Sequence, residues 1–370
     1  MLEQKRLLSR RPLTPRFKNR QQARAYERFI AAIDDGRIHF TEVDCPVCGL
    51  RNFKLICNVD RQSLEVETVR CLSCPTLYSR RRMTEKSLEI FYSEFYRELY
   101  GGMTAPNLEW FNQQSANGSR ILQILSTNRL IDSTPSRILE IGTGAGGALL
   151  PFMNRGDDVV GIDFDEQFLE FGRSFGLTLH QGGLELLDTL GTFDVVILKD
   201  VLEHLPNPRD TLRRVAQHLS PMGVIYVQVP GLQALGYLGY RYDLLRYLQI
   251  AHVCHYTVES LTHLGRSVGL MEKYVHESGK VVFARQPLDF KQAELEIPSP
   301  KFAEDALRNI FQARIPYALR LSVTEFVPEG AKIPLRWFRD ALKSVSRRAS
   351  RHGRRVCLSS MHLRSRSPFP

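Results

Sequence analysis

Two cysteine pairs, Cys45-Pro-Val-Cys48 and Cys71-Leu-Ser-Cys74, stand about twenty residues apart near the start of this 370-residue chain. Each C-x-x-C knuckle turns two sulfurs toward one point, and two knuckles at this separation supply the four thiolates of a tetrahedral zinc site. Buried thiols or disulfides are the alternative, and a reducing compartment disfavours the latter. A four-cysteine site is coordinatively closed, so the predicted zinc is structural or helps to dock a substrate. Pro75 removes one N–H that could donate to sulfur beside the second knuckle. Cys57, Cys254 and Cys357 have no partner at ligand spacing.

A second cluster is Arg137-Ile-Leu-Glu-Ile-Gly-Thr-Gly-Ala-Gly-Gly147. A short apolar strand running straight into glycines and then a helix makes a nucleotide cradle. The absence of Cβ atoms lets a ligand approach the backbone amides. Gly142, Gly144 and Gly147 satisfy G-x-G-x-x-G, and Asp163 follows about 20 residues on, where a ribose-binding acid belongs. Alone, this stretch suits nicotinamide dinucleotides and S-adenosylmethionine equally. Glu140 favours the latter, because a carboxylate at the strand tip suits an ammonium group and repels a pyrophosphate.

The third group is Phe193-Asp-Val-Val-Ile-Leu-Lys-Asp-Val-Leu-Glu-His-Leu-Pro-Asn-Pro208, with His252-Val-Cys-His255-Tyr-Thr257 further on. With the glycine stretch, the motif after the fourth strand resembles the class I S-adenosylmethionine-dependent methyltransferases. The nearest branches are the ubiquinone-biosynthesis O-methyltransferases and the sugar and polysaccharide methyltransferases that carry an N-terminal zinc-binding domain. The resemblance covers roughly 137–285. It implies cofactor contacts from Glu140, Gly142, Gly144, Gly146, Asp163, Phe164, Leu184, Lys199 and Asp200. Asp163 would take the ribose hydroxyls, Phe164 and Leu184 the adenine, and Lys199 and Asp200 the methyl-donor end.

Methyl transfer to a hydroxyl requires alignment and removal of one proton. Histidine suits that task near neutrality. The catalytic candidates are His255, expected at the open acceptor side, and His204, expected to orient the site. No third ligand is evident beside His252 and His255, so no zinc is assigned there. The segment 231–250 carries Tyr237, Tyr240, Tyr242, Tyr247, Arg241 and Arg246. It reads either as a sugar- and phosphate-binding insertion or as an amphipathic helix packed on the sheet.

Positioning these residues needs alternating strands and helices, hence an α/β chain. The expectation is a Rossmann-like class I methyltransferase sheet with helices on both faces, plus a small N-terminal zinc ribbon and a basic C-terminal extension. Strands are predicted at 137–141, 159–163, 177–181, 193–198, 222–229, 270–275 and 279–285, the last two as a hairpin. Shorter strands at Phe53–Cys57 and Leu64–Val69 should hold the knuckles. Leu88, Phe91, Tyr92, Phe95, Tyr96 and Leu99 recur at helical spacing, and such a segment covers the cofactor mouth in the family resembled. Domains are placed at 1–40 (basic lead-in), 41–80 (zinc ribbon), 81–130 (helical linker or cap), 131–286 (methyltransferase) and 287–370 (extension, with a helix expected over 332–345 and a disordered tail).

The net charge of +10 is concentrated at the ends. Residues 1–40 carry ten Lys/Arg against four acids and residues 332–370 eleven against one, which leaves the middle near −6. The basic tail is a candidate contact for anionic lipid or nucleic acid; a solvated tail is the alternative. No run approaches the ~18 apolar residues of a membrane span, and the Arg-rich start lacks the apolar core of a secretory signal. A cytoplasmic location, peripheral at the inner membrane surface, is expected.

The leading function is methylation of a hydroxyl, or a carbon, of a sugar, nucleotide-sugar or surface glycan. An RNA-base methyltransferase using the zinc ribbon to dock RNA is the alternative, but the fourth strand ends in Leu-Lys-Asp-Val rather than the Asn/Asp-Pro-Pro-Tyr loop of amine methylation. A noncatalytic S-adenosylmethionine-binding module is the third reading.

Overall fold

The computed structural model describes residues 17, 19–101, 105–132, 135–236, 240, 242–285, 296–310 and 312. The predicted helix over 332–345, the basic tail, Cys357, Tyr237 and Arg241 lie outside the described residues.

Seven strands form the central sheet: β6 (Arg137–Ile141), β7 (Asp158–Asp163), β8 (Thr178–Gln181), β9 (Phe193–Lys199), β10 (Leu219–Gln228), β12 (Leu270–His276) and β13 (Lys280–Arg285). Their order is β12-β13-β10-β9-β6-β7-β8. Five strands run parallel, and β13 inserts antiparallel, pairing its Val281 with Val227 of β10 and its Ala284 with Met271 of β12. All seven lie where the apolar runs predict strands, and the last two form the expected hairpin. The run Ile138, Leu139 and Ile141 is buried on both faces, as a central parallel strand requires. The chain order reverses between β6 and β9, which opens a crevice at the strand tips there.

Five further strands precede the sheet: β1 (Phe40–Glu42), β2 (Phe53–Val59), β3 (Glu65–Cys71), β4 (Thr76–Ser79) and β5 (Arg81–Met83). β2, β3 and β4 form an antiparallel meander that brings the cysteine pairs together. Its fourth strand comes from far along the chain. β11 (Cys254–Tyr256) pairs antiparallel with β4, placing His255 opposite Leu77. The cysteine-bearing unit is therefore not closed at residue 80. It shares a continuous interior with the main sheet, in which Val47, Val69 and Tyr78 pack with Val196, Leu198, Ile225 and Tyr256.

The stretch expected as a cap forms α2 (Glu85–Glu94), a π-helical turn at Arg97–Gly101 and α3 (Leu108–Thr127). Thr84 caps α2 and Asn107 caps α3 through their side chains. Phe91, Phe95 and Leu99 pack with Phe29 and Ala32 of α1 (Arg20–Asp34) and with Ile250 and Ala251. The aromatic run thus serves as core on one side, while Tyr92 and Tyr96 stay half-buried toward the crevice. Within α3, Gly118 abuts the Ala148 backbone so closely that a Cβ would stand 2.1 Å from its carbonyl oxygen, which fixes the helix against the glycine turn.

Candidate functional site

The four sulfurs converge. Cys45 Sγ lies 3.5 Å from Cys74 Sγ, and Cys48 Sγ lies 3.6 Å from Cys71 Sγ. Sulfurs bound ~2.3 Å from one zinc ion in a tetrahedron stand about 3.8 Å apart, so the set fits zinc with little adjustment. The donor lost at Pro75 is replaced locally. The Ser73 amide donates to Cys71 Sγ at 3.3 Å, and the Thr76 hydroxyl lies 3.3 Å from Cys74 Sγ.

At the tip of β6 the chain turns through Gly142, Gly144 and Gly146, all with positive φ. None of the three has room for a side chain without displacing a neighbour. A Cβ at Gly142 would meet Val201 Cγ2 at 2.6 Å, and one at Gly144 would meet the Trp110 ring at 2.9 Å. Asp163, at the tip of β7, accepts the Gly144 N–H at 2.8 Å and the Asp165 N–H at 3.0 Å. The expected ribose acid thus also braces the glycine turn.

Glu140 is 4% exposed and takes the Thr143 hydroxyl at 2.7 Å. Burial pushes its carboxyl up to about 7, against the Thr143 hydrogen bond and the positive charge of Lys199. A buried carboxyl poised there is stabilised in its charged form by an arriving cation. Lys199 in turn pairs with Asp200 at 2.5 Å. Asp200 sits at φ +55°, an uncommon conformation for a non-glycine residue, just where β9 ends over the crevice. Phe164, 68% exposed, and half-buried Leu184 flank the loops after β7 and β8, with the Phe164 ring lying against Gly183.

The motif after β9 and the segment around β11 together form a row of imidazoles. The His204 and His252 rings stand 4.7 Å apart, and His252 and His255 stand 6.0 Å apart. His204 Nδ1 lies 3.0 Å from the Ala251 carbonyl and 3.0 Å from the Tyr92 hydroxyl. The carbonyl can only accept, so Nδ1 carries the proton and the Nε2 lone pair is free. That Nε2 faces Glu203, 4.0 Å from Oε1, and His252 Nε2 is also 4.0 Å from Oε1. Glu203 is 2% exposed and neither carboxyl oxygen has a hydrogen-bond partner. Burial, with the nearby Asp200 charge, drives its carboxyl well above the ordinary range. Ligand atoms of Glu203, His204 and His252 all lie within 4.8 Å of one another, so the set has the donor types and spacing for a metal ion as well as for proton transfer.

His255 is not at the open acceptor side where the sequence reading put it. It is 1% exposed on β11, behind His252 and against Tyr247, its ring 5.0 Å from that of the tyrosine. Burial drags its pKa down to about 3. The physical reason is the pairing of β11 with β4, which turns this segment inward. The pairing also supplies what the sequence reading lacked beside His252, namely Glu203 and His204 as neighbours.

Sequence reasoning missed three groups at the crevice. Arg97, from the π-helical turn, pairs with Asp163 at 3.2 Å and with Asp165, and stacks 3.7 Å over the Phe168 ring. Trp110 packs edge-on to Phe168 above the glycine turn. Arg61 projects from the β2–β3 turn onto the Tyr100 ring at 4.8 Å. A surplus of Arg in the cap and ribbon was visible, but nothing local marks which of them face the crevice.

A parallel sheet in this order, with an antiparallel penultimate position, a glycine turn after its first strand and acids at the first two strand tips, defines a class I S-adenosylmethionine-dependent methyltransferase domain. The family model of a methyltransferase domain matches residues 112–272. Ubiquinone biosynthesis O-methyltransferase of Azoarcus sp. (strain BH72) is 33% identical over 101 residues, covering 24% of this chain and 42% of that protein. The enzyme of the same name from Aeromonas salmonicida (strain A449) is 31% identical over 113 residues, covering 28% and 46%. The chain thus spans less than half the length of the curated relatives it matches. A solved structure of similar type is CalS10, an amino pentose methyltransferase from Micromonospora echinaspora, at 18% identity, 52% and 96% coverage and TM-score 0.36. Among the described residues, no helix is long and apolar enough to cross a membrane.

Proposed function

We propose that the chain transfers a methyl group from S-adenosylmethionine to a hydroxyl of a sugar, nucleotide-sugar or surface glycan. The observation that carries this reading is the fixed tautomer of His204, whose free Nε2 faces Glu203 next to the strand tips that hold the cofactor. In-line displacement on a sulfonium gives a neutral thioether leaving group, so the protein supplies alignment and a place for the acceptor's proton. His204 Nε2 is that place, with Nδ1–H anchored on the Ala251 carbonyl and burial holding the ring's pKa down to about 4. Glu140 would meet the methionine ammonium, Asp163 the ribose, and Phe164 and Leu184 the adenine. The role of base thereby passes from His255 to His204.

The cysteine cluster holds one structural zinc in this reading. Closed coordination leaves it no part in the methyl transfer. RNA-base methylation is the weaker alternative, because the residues around His204 are tyrosines and histidines tied into the cap rather than an open basic groove. Incubating the purified full chain with labelled S-adenosylmethionine and separate panels of nucleotide sugars, glycans and RNA tests the assignment. Label in the sugar panels supports it; label in RNA alone, or in none, overturns it.

A further inference from the structure

Arg61 is a half-buried arginine that, among the described residues, has no acidic or hydrogen-bonding partner for its side chain. Its own neighbour is not available. Asp60 Oδ1 already accepts the Gln62 and Leu64 amides at 2.8 and 3.0 Å, and Oδ2 accepts the Tyr100 hydroxyl and the Ile250 amide. Those four donors lock the β2–β3 turn in place and leave the next side chain, Arg61, held over Tyr100.

The cap tyrosines connect Arg61 to the imidazole row. Arg61 stacks on Tyr100 of the cap, and its charge reaches Tyr96, Tyr240 of the insertion and His252 of the imidazole row. These groups are themselves contiguous. The Tyr96 ring lies 5.8 Å from that of Tyr100 and 5.5 Å from that of His204, and Tyr240 packs edge-on to Tyr247, next to His252. Two aromatic rings, Tyr100 and Tyr96, therefore stand between Arg61 and His204. A half-buried guanidinium on a tyrosine face, with its donors unspent, is strongly biased toward a carboxylate or phosphate, which it can grip with two parallel hydrogen bonds.

We infer that Arg61 is the anion-binding residue of the acceptor site, and that the acceptor carries a phosphate or carboxylate roughly two rings' width from the atom that is methylated. This rests on the methyltransferase reading above and narrows it to charged acceptors. The part of the acceptor between the two groups would lie among Tyr96, Tyr100 and Tyr240, and the anion would meet a residue contributed by the cysteine-bearing unit. That unit would then have a direct part in choosing the substrate.

The test uses the full chain and calorimetry. S-adenosylhomocysteine is titrated first, then inorganic pyrophosphate and benzoate separately into the complex, as the phosphate and carboxylate arms. One of the two anions should bind. Arg61→Gln should weaken it by roughly 10–100-fold, the range for a charge-assisted hydrogen bond, and Arg61→Lys should recover part of the loss. S-adenosylhomocysteine affinity should be the same in all three proteins, which also certifies folding. If neither anion binds the complex, or if Arg61→Gln binds as the unaltered chain does, the inference is overturned. If S-adenosylhomocysteine itself does not bind, the methyltransferase reading fails instead.

Discussion

The Tyr100 hydroxyl donates a 2.9 Å hydrogen bond to Asp60 Oδ2, and the Ile250 amide donates to the same oxygen at 3.1 Å. One buried carboxylate thus ties together the β2–β3 turn, the cap and the insertion before β11, three segments that sequence separates widely. Tyr100→Phe removes a donor to a buried anion, so it should cost about 1.5–3 kcal/mol of stability. The shift in urea midpoint at unchanged slope measures it, and a change below about 0.5 kcal/mol would mean that the bond is not formed in solution.

Cofactor binding should be proton-linked through Glu140. Its carboxyl is raised to about 7 in the empty site, above the unfolded value, so stability from this group is greatest below the unfolded pKa and is lost as pH rises through 7. A bound ammonium favours the ionised form, so binding near neutrality expels a proton and tightens as pH rises. S-adenosylhomocysteine affinity should fall roughly tenfold from pH 8 to pH 6, and Glu140→Gln should flatten that profile. Calorimetry in two buffers of different ionisation enthalpy reads the proton directly. A flat profile in the unaltered chain would rule out Glu140 as the ammonium partner.

Asp163→Ala should hit the cofactor site twice, by losing the ribose acceptor and by releasing the Gly144 amide it braces. Gly144→Val should be as severe, because the position combines φ +57° with the Trp110 ring 2.9 Å from any Cβ. Both should lower S-adenosylhomocysteine affinity by at least about tenfold, the loss of one charge-assisted hydrogen bond. Retained affinity in Asp163→Ala would show that the acid only shapes the turn.

Metal analysis should find one zinc per chain, lost in Cys71→Ala. Because β11 closes the cysteine-bearing sheet, zinc removal should loosen more than that unit. Hydrogen exchange should quicken at Cys254–Tyr256 together with Thr76–Ser79. Exchange confined to the knuckles would show that the strand pairing does not depend on the metal.

Once an acceptor is known, His204→Ala should lower turnover by 10²–10⁴-fold, the typical contribution of a general base, with little change in S-adenosylhomocysteine affinity. His255→Ala removes a fully buried ring and should act on stability, with a cavity cost of a few kcal/mol and a smaller effect on turnover at temperatures where it stays folded. The reverse pattern would return the base to His255.

The cofactor cradle was legible in the sequence because its information is local. The apolar run 137–141, the glycines that follow and the acids at Glu140 and Asp163 are linked by strand periodicity and by contacts between adjacent strands. The cysteine knuckles were legible for the same reason, since each spacing encodes its own turn. The acceptor side was not. His255 carried the right residue type in the right segment, yet β11 pairs with β4, nearly 180 positions earlier, and that ladder turns the ring inward. Arg61 and Arg97 belong to segments whose approach to the crevice depends on how the cap and the cysteine-bearing sheet pack onto the central one. Burial of Phe91, Tyr78 and Tyr256 drives that packing, and an apolar side chain records in the sequence only that it must be buried, not which distant surface will cover it.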